Sequence, residues 1–306
     1  MLRELLSKQS GVTIANLDWL AATASKRYKT YEIPKRSGGM RTIHHPSRSL
    51  KGVQRWISKF LFARLPVHDA ACAYVRGSGI RKNAEAHVHS SFTLRLDFTD
   101  FFPCFSQLHV EKFLYQLQPG IDLNLTDDDV AFVSRIASRH GHLTIGAPSS
   151  PSLTNAMMFA FDSKVSEFAA SRNLIYTRYA DDLFFSSQQP NNLSDVYHFV
   201  TGIAEVYPFA KLKLNPEKTA FLSRRYVRRV TGLVLTTEGK VSIGRDRKRM
   251  IKAQVHKFLG GELEHETISS LCGYLAFIQD VEPDFWLSLQ RKYGENAMEQ
   301  LLPGQR

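Results

Sequence analysis

Apolar residues recur every three or four positions at the start of the chain: Leu2, Leu5 and Leu6, then Ile14, Leu17, Leu20 and Ala21. That spacing predicts short helices over residues 1–28. The stretch YKTYEIPKRSGGMRTIHHPS (28–47) predicts two strands joined by the turn RSGG. SLKGVQRWISKFLFARL (49–65) predicts a strongly amphipathic helix. FTLRLDFTDFFP (92–103) begins as a strand with Leu94 and Leu96 on one face. Helices are predicted over 107–117 and 127–139, the second opened by TDDD, which suits a cap and the helix dipole. GAPSSP (146–151) is a loop feeding a helix from Ser152 to about Ala170. LIYTRYADDLFFSS (174–187) predicts a hairpin, followed by a helix (193–206), a hairpin-like stretch (226–244) and a helical C-terminal section to about residue 300. Strands and helices alternate irregularly, which implies an α+β class.

The 306 residues suffice for one large domain or two or three subdomains, and 43% hydrophobic with 23% charged content is ordinary for a globular chain. The formal net charge of +11 points to a polyanionic partner. Between Lys211 and Lys257 there are fourteen Lys or Arg against three acids, an excess equal to that of the whole chain. The polyanion-binding face is therefore expected largely in the last third. The three cysteines, Cys72, Cys104 and Cys272, are far apart. They fit no zinc or disulfide pattern and suit a reducing cytoplasm. MLRELLSKQSG lacks the apolar core of a signal peptide, and no apolar run reaches the length of a membrane span, so a cytoplasmic protein with no membrane partner is expected.

Within RYADDLFF (178–185), Asp181 and Asp182 sit side by side between two strand-forming runs. A solvated hairpin turn carries such a pair readily. Asp97, however, ends its own strand pattern on the face opposite Leu94 and Leu96. Three carboxylates brought together could hold two Mg²⁺ ions about 4 Å apart, as polymerases and nucleases do. Mg²⁺ takes oxygen ligands and shares its shell with substrate phosphates.

At these residues the chain resembles the reverse transcriptases. YADD (179–182) is similar to their catalytic tetrapeptide, LRLDFTDFFP to the first palm motif, and GAPSSPSLTN (146–155) to the motif that follows. LNPEKT (214–219) resembles the lysine-bearing motif, and KRSGGMRTIHHPS the fingers hairpin. All five stand in family order over roughly residues 28–245. NAEAH (83–87) and VTG (230–232) are similar to two signatures of bacterial retron reverse transcriptases.

The resemblance implies a right-hand polymerase. Residues 1–27 would be N-terminal helices, 28–91 with part of 106–145 the fingers, 92–105 and 146–235 the palm, and 236–306 the thumb. It implies RNA-directed DNA synthesis by a two-metal nucleotidyl transfer, with Mg²⁺ held by Asp97, Asp181 and Asp182 and Mn²⁺ as a substitute. Lys35 (or its neighbour Arg36) and Arg41 would grip the dNTP triphosphate, and Lys218 would approach the pyrophosphate as a general acid. Phe102 would exclude a 2′-hydroxyl, and Asp100 would lie beside the nucleotide. Gly146, Ala147 and Pro148 would let backbone approach template and nucleotide. Tyr179 would meet the primer end. Asn83, His87, Val230, Thr231 and Gly232, with thumb residues Arg245, Arg247, Lys248 and Arg249, would face RNA. One position departs from the family: Ile145 stands where Gln is common before Gly-Ala-Pro, which puts a contact to the nucleotide sugar in doubt.

The retron resemblance further implies a structured non-coding RNA as partner, priming from a guanosine 2′-hydroxyl, a branched RNA–DNA product, and an effector protein in phage defence. The rival readings are a diversity-generating or group II intron-like reverse transcriptase, a metal-dependent nuclease, and a non-catalytic RNA-binding scaffold controlling an effector. A scaffold needs no complete carboxylate set, and a nuclease needs no fingers or sugar gate.

Overall fold

The computed structural model describes residues 1–35, 38–117 and 124–302. Helices α1 (Leu2–Ser10) and α2 (Ile14–Ala22) lead into a hairpin of β1 (Tyr28–Pro34) and β2 (Met40–Pro46). Its register runs from Tyr28↔Pro46 at the base to Pro34↔Met40 near the tip, and both strands are largely exposed. Helix α3 (Arg48–Phe60) follows, burying Leu50, Val53, Gln54 and Ile57. The short helix α4 (Ile80–Glu85), not anticipated from the sequence, carries Asn83.

The central sheet is antiparallel, in the order β4-β5-β3-β6: β3 (Phe92–Asp97), β4 (Ile175–Tyr179), β5 (Asp182–Ser187) and β6 (Ala220–Ser223). Strict alternation gives it two unlike faces. Leu94, Leu96, Leu183 and Phe185 point into the larger core. That core is closed by α5 (Gln107–Leu117), α6 (Asp127–Ala137), α7 (Ser150–Met157), α8 (Phe159–Ser171) and α9 (Val196–Glu205). Register pairs Asp97 with Asp182, Arg95 with Phe184 and Thr93 with Ser186 on the opposite face.

The single helix expected over 152–170 is two. The Tyr207 hydroxyl donates to the Met157 carbonyl, a side chain inserted into the helical ladder, which breaks it at Met158.

A second core joins β7 (Arg228–Val230), β8 (Leu233–Leu235) and β9 (Val241–Ser242) to α10 (Arg245–Leu259), α11 (His265–Val281), α12 (Pro283–Tyr293) and α13 (Glu295–Leu301). The small sheet thus shares its core with the C-terminal helices, across the boundary expected at residue 235. Thr231 and Gly232, with φ of 46° and 81°, form the two-residue turn between β7 and β8. The Thr231 hydroxyl donates to the Ile80 carbonyl at 3.1 Å, tying this turn to α4.

Candidate active site

The sheet brings the three acids together. Asp97 lies opposite Asp182 at the last rung of β3–β5, and the Phe98 N–H donates to the Asp181 carbonyl at 3.0 Å. Asp97 is 2% exposed, and Asp181 and Asp182 are partly buried. Cations already hold two of them, Asp97 and Asp182. The Lys218 ammonium donates to Asp97 Oδ1 at 2.6 Å. One nitrogen of the Arg95 guanidinium is 2.7 Å from Asp182 and 3.8 Å from Asp97, so both carboxylates face one small volume. Burial and then the nearby Asp97 charge push the Asp181 carboxyl above its ordinary range. Burial pushes Asp182 up to about 6, although the Arg95 guanidinium opposes it.

Among the described residues no set of three acidic, His or Cys side chains is already closed on a metal position. The donor chemistry nevertheless fits a divalent ion. Oxygen donors converge, their mutual charge is unfavourable, and Lys218 and Arg95 stand as the counter-cations a metal would displace.

The remaining expected residues fall into distinct groups. Arg41 is exposed on β2, and its charge offsets a small part of the upward push on the Asp181 carboxyl. Lys35 is exposed at the hairpin turn, whereas Arg36 lies outside the described residues. Phe102 is half-exposed in a helical turn, set edge-on to the buried Phe101 with ring centroids 5.5 Å apart. Asp100 beside it is exposed and left-handed, with φ 47°. Tyr179 is half-buried against the second core.

Gly146 owes its identity to the protein itself. With φ +106°, it lies so close to the β1–β2 hairpin that an added Cβ would be 2.5 Å from the His44 carbonyl oxygen. The adjoining Ile145 carbonyl accepts from the His44 N–H at 2.9 Å. Ala147 is buried and Pro148 half-buried.

Asn83, His87 and Val230 correct the expectation of RNA contact, because each is 0% exposed. His87 bridges Ser186 Oγ at 2.6 Å and Thr177 Oγ1 at 2.8 Å, and Thr177 donates to Asn83 Oδ1 at 2.5 Å. This buried network braces the β4–β5 hairpin from beneath α4. Burial lowers the His87 imidazole to about 3. The unfolded chain therefore binds a proton below about pH 6.5 that the folded chain refuses. Stability is expected to fall as pH drops from 6.5 towards 3. In urea titrations across that range, His87→Gln is expected to flatten this part of the slope; an unchanged slope would exclude His87 as its source.

Lys248 is likewise not a free RNA cation. Its ammonium is paired with Glu282, which also accepts from the Ile243 N–H at 2.9 Å, and together these lock β9 and α10 to the α11–α12 junction. Arg245 and Arg249 remain exposed on α10, and Arg247 is half-buried.

A buried ion pair escaped the sequence analysis. Arg178 and Asp162, both 0% exposed, form a two-pronged ion pair beneath the turn that carries Asp181 and Asp182, with contacts of 2.7–3.1 Å. Arg178 also donates to Asn155 Oδ1 at 3.1 Å and to the Ala180 carbonyl at 3.2 Å. Ala180, with φ 57°, is the strained residue that turns the chain from β4 into the two acids. The only sequence signal was a charged residue at an inward position of β4.

The family profile described as reverse transcriptase (RNA-dependent DNA polymerase) matches residues 33–263. The retron Ec83 reverse transcriptase of Escherichia coli is 35% identical over 288 residues, covering 92% of each chain. The retron Ec86 reverse transcriptase of the same species is 32% identical, covering 96% of this chain and 91% of its own. Among solved structures, apo telomerase from Candida tropicalis superposes with a TM-score of 0.50 at 12% identity, over 70% of this chain and 47% of that one. The telomerase–RNA fragment complex from that organism also gives 0.50, at 13% identity, over 94% and 59%. That likeness establishes the polymerase fold, and no helix among the described residues is long and apolar enough to cross a membrane. With the acids of YADD meeting Asp97 across one sheet, the chain belongs to the reverse transcriptases, RNA-directed DNA polymerases, and among them to the retron type.

Proposed function

We propose that the chain copies part of its own structured non-coding RNA into single-stranded DNA, primed from a guanosine 2′-hydroxyl and ending as a branched RNA–DNA molecule. The observation that carries catalysis is the cross-strand convergence of Asp97 and Asp182, with Asp181 beside them. These three side chains would hold two Mg²⁺ ions, with Mn²⁺ able to replace them. Bound metal supplies Lewis acidity to the attacking hydroxyl and to the leaving pyrophosphate. The chain's own groups do the rest. Lys35 and Arg41 bind the triphosphate of the dNTP. Lys218, released from Asp97, offers its proton at the pyrophosphate. Arg245 and Arg249 meet the RNA backbone. An effector protein in phage defence, as a partner, rests on the family resemblance alone.

Nucleic acid copurified with the protein, expressed in cells together with the DNA that flanks its gene, tests the proposal. It is expected to be RNA joined to complementary single-stranded DNA; RNA with no DNA portion would overturn the reading.

Phe102 carries a separate expectation. Its half-exposed ring, beside Asp100, would abut the nucleotide sugar. Phe102→Ala is expected to raise ribonucleotide incorporation roughly 10- to 200-fold relative to deoxynucleotide, the range for one small steric contact. Competition assays with paired rNTP and dNTP measure this, and an unchanged ratio would remove Phe102 as the gate.

A further inference from the structure

We infer that a basic pocket at the base of the β1–β2 hairpin is a second RNA site, one that binds consecutive backbone phosphates away from the catalytic carboxylates. The inference rests on the reading of RNA as this protein's substrate. The cavity is about 550 Å³, and Lys26, Arg27, Lys29, Arg48, Lys51 and Arg55 line it without any acidic residue.

Four observations support it. First, Lys26, Lys29, Arg48, Lys51 and Arg55 form no ion pair with any described residue. Like charges gathered in a concave wall raise the local potential and attract a polyanion. Second, Arg48, Lys51 and Arg55 recur at three- and four-residue spacing along α3, opposite its buried face. They span about 10 Å of helix, enough for more than one phosphate. The positive end of the α3 dipole adds to this charge, since Ser47 makes no side-chain cap bond there.

Third, the pocket is preformed. The Ser47 N–H donates to the Arg27 carbonyl at 2.7 Å, and Gln54 Nε2 donates to the Tyr28 hydroxyl at 2.8 Å. Little ordering is then required on binding. Fourth, an aromatic platform adjoins it. The Arg27 guanidinium lies 4.0 Å from the ring centre of Trp19, which is 61% exposed. Cationic grooves with neighbouring aromatic rings hold single strands by joint phosphate and base contacts.

The position separates this pocket from the nucleotide site. Lys29 pairs with His45 at the hairpin base, whereas Arg41 pairs with Ile33. Four residues of strand put them about 13 Å apart. The RNA segment bound could be unpaired template awaiting copying or a folded stem of the non-coding RNA. Both present the same phosphates.

The test compares the full-length protein with R48A/K51A/R55A. Affinity is measured without dNTPs at several salt concentrations, for a blunt primer–template duplex, the same duplex with an unpaired template extension, and a closed stem-loop. The variant is expected to lose roughly tenfold or more in affinity on at least one of the last two. Its log–log salt slope should be smaller by about 2 to 3. Loss on the extension assigns unpaired template, and loss on the stem-loop assigns folded RNA. The charge-preserving R48K/K51R/R55K should restore binding. Affinity and slope unchanged on all three RNAs would overturn the inference. In the unmutated protein, bound RNA should also shield Lys26, Lys29 and Lys51 from amine acylation, and unshielded lysines would overturn it equally. These readouts involve no DNA synthesis, so their failure is distinct from a failure of the polymerase reading.

Discussion

Asp181→Asn is expected to abolish DNA synthesis, by on the order of 10³-fold or more, while the protein stays folded. The replacement keeps the size of the side chain and leaves the backbone carbonyl that accepts from Phe98 untouched. It removes a partly buried charge that its surroundings disfavour, since burial and Asp97 both push the Asp181 carboxyl up. Folding therefore loses nothing large, and thermal unfolding without divalent ions should be level with the parent or higher. What disappears is an anionic oxygen donor, which a neutral amide does not replace on a hard dication. Asp97→Asn should be equally inactive, but it also strips Lys218 of its partner. Asp181→Asn is thus the cleaner measurement. Primer extension on an RNA template with Mg²⁺ and dNTPs decides it: more than about a tenth of parental activity would show that Asp181 is not needed as a metal ligand.

Arg178→Met is expected to have the largest effect on stability, about 3–5 kcal/mol, because it leaves the buried Asp162 carboxyl without its cationic partner. Tyr176 also donates to Asp162, at 2.8 Å, but one hydroxyl does not replace the two-pronged guanidinium contact. R178M/D162N should recover a good part of the loss, giving a strongly non-additive cycle in urea unfolding. The double variant isolates a second consequence. Ala180 still lacks the guanidinium contact to its carbonyl, so the left-handed turn before the acids is freer. Its kcat should fall more than its KM rises. Single-variant destabilisation below about 1 kcal/mol would show that the pair is not what holds this turn.

The strands that carry the three acids were legible because alternation is local. Leu94 and Leu96 set the phase of β3, and Asp97 follows on the other face whatever surrounds it. The hairpin around Ala180 was equally plain. What local pattern does not contain is partnership at a distance. Nothing in the run RYADD states that Arg178 turns inward to Asp162, sixteen residues earlier on α8. Nor does NAEAH reveal that Asn83 and His87 meet Thr177 and Ser186 in the interior. Signature residues were read as ligand contacts when they are braces for the strands that carry the acids. Strand β6 was missed because it has four residues and little alternation. The break at Met158 was missed because its cause, Tyr207, lies far along the chain. The basic pocket escaped because its charges are spread through residues 26–55 and gather only once β1 and α3 are packed.

The tight seat of Gly146 against His44 has a mechanical meaning. The hairpin is bolted to the loop preceding α7 at its lower half, through His44 and Ile145, while the described residues of its outer half, 32–35 and 38–42, are exposed. A beam held in this way pivots at the bolt and not at its root. A triphosphate drawing Arg41 inward would therefore bend only the distal rungs, leaving the basic pocket below the fulcrum at rest through each cycle of nucleotide addition.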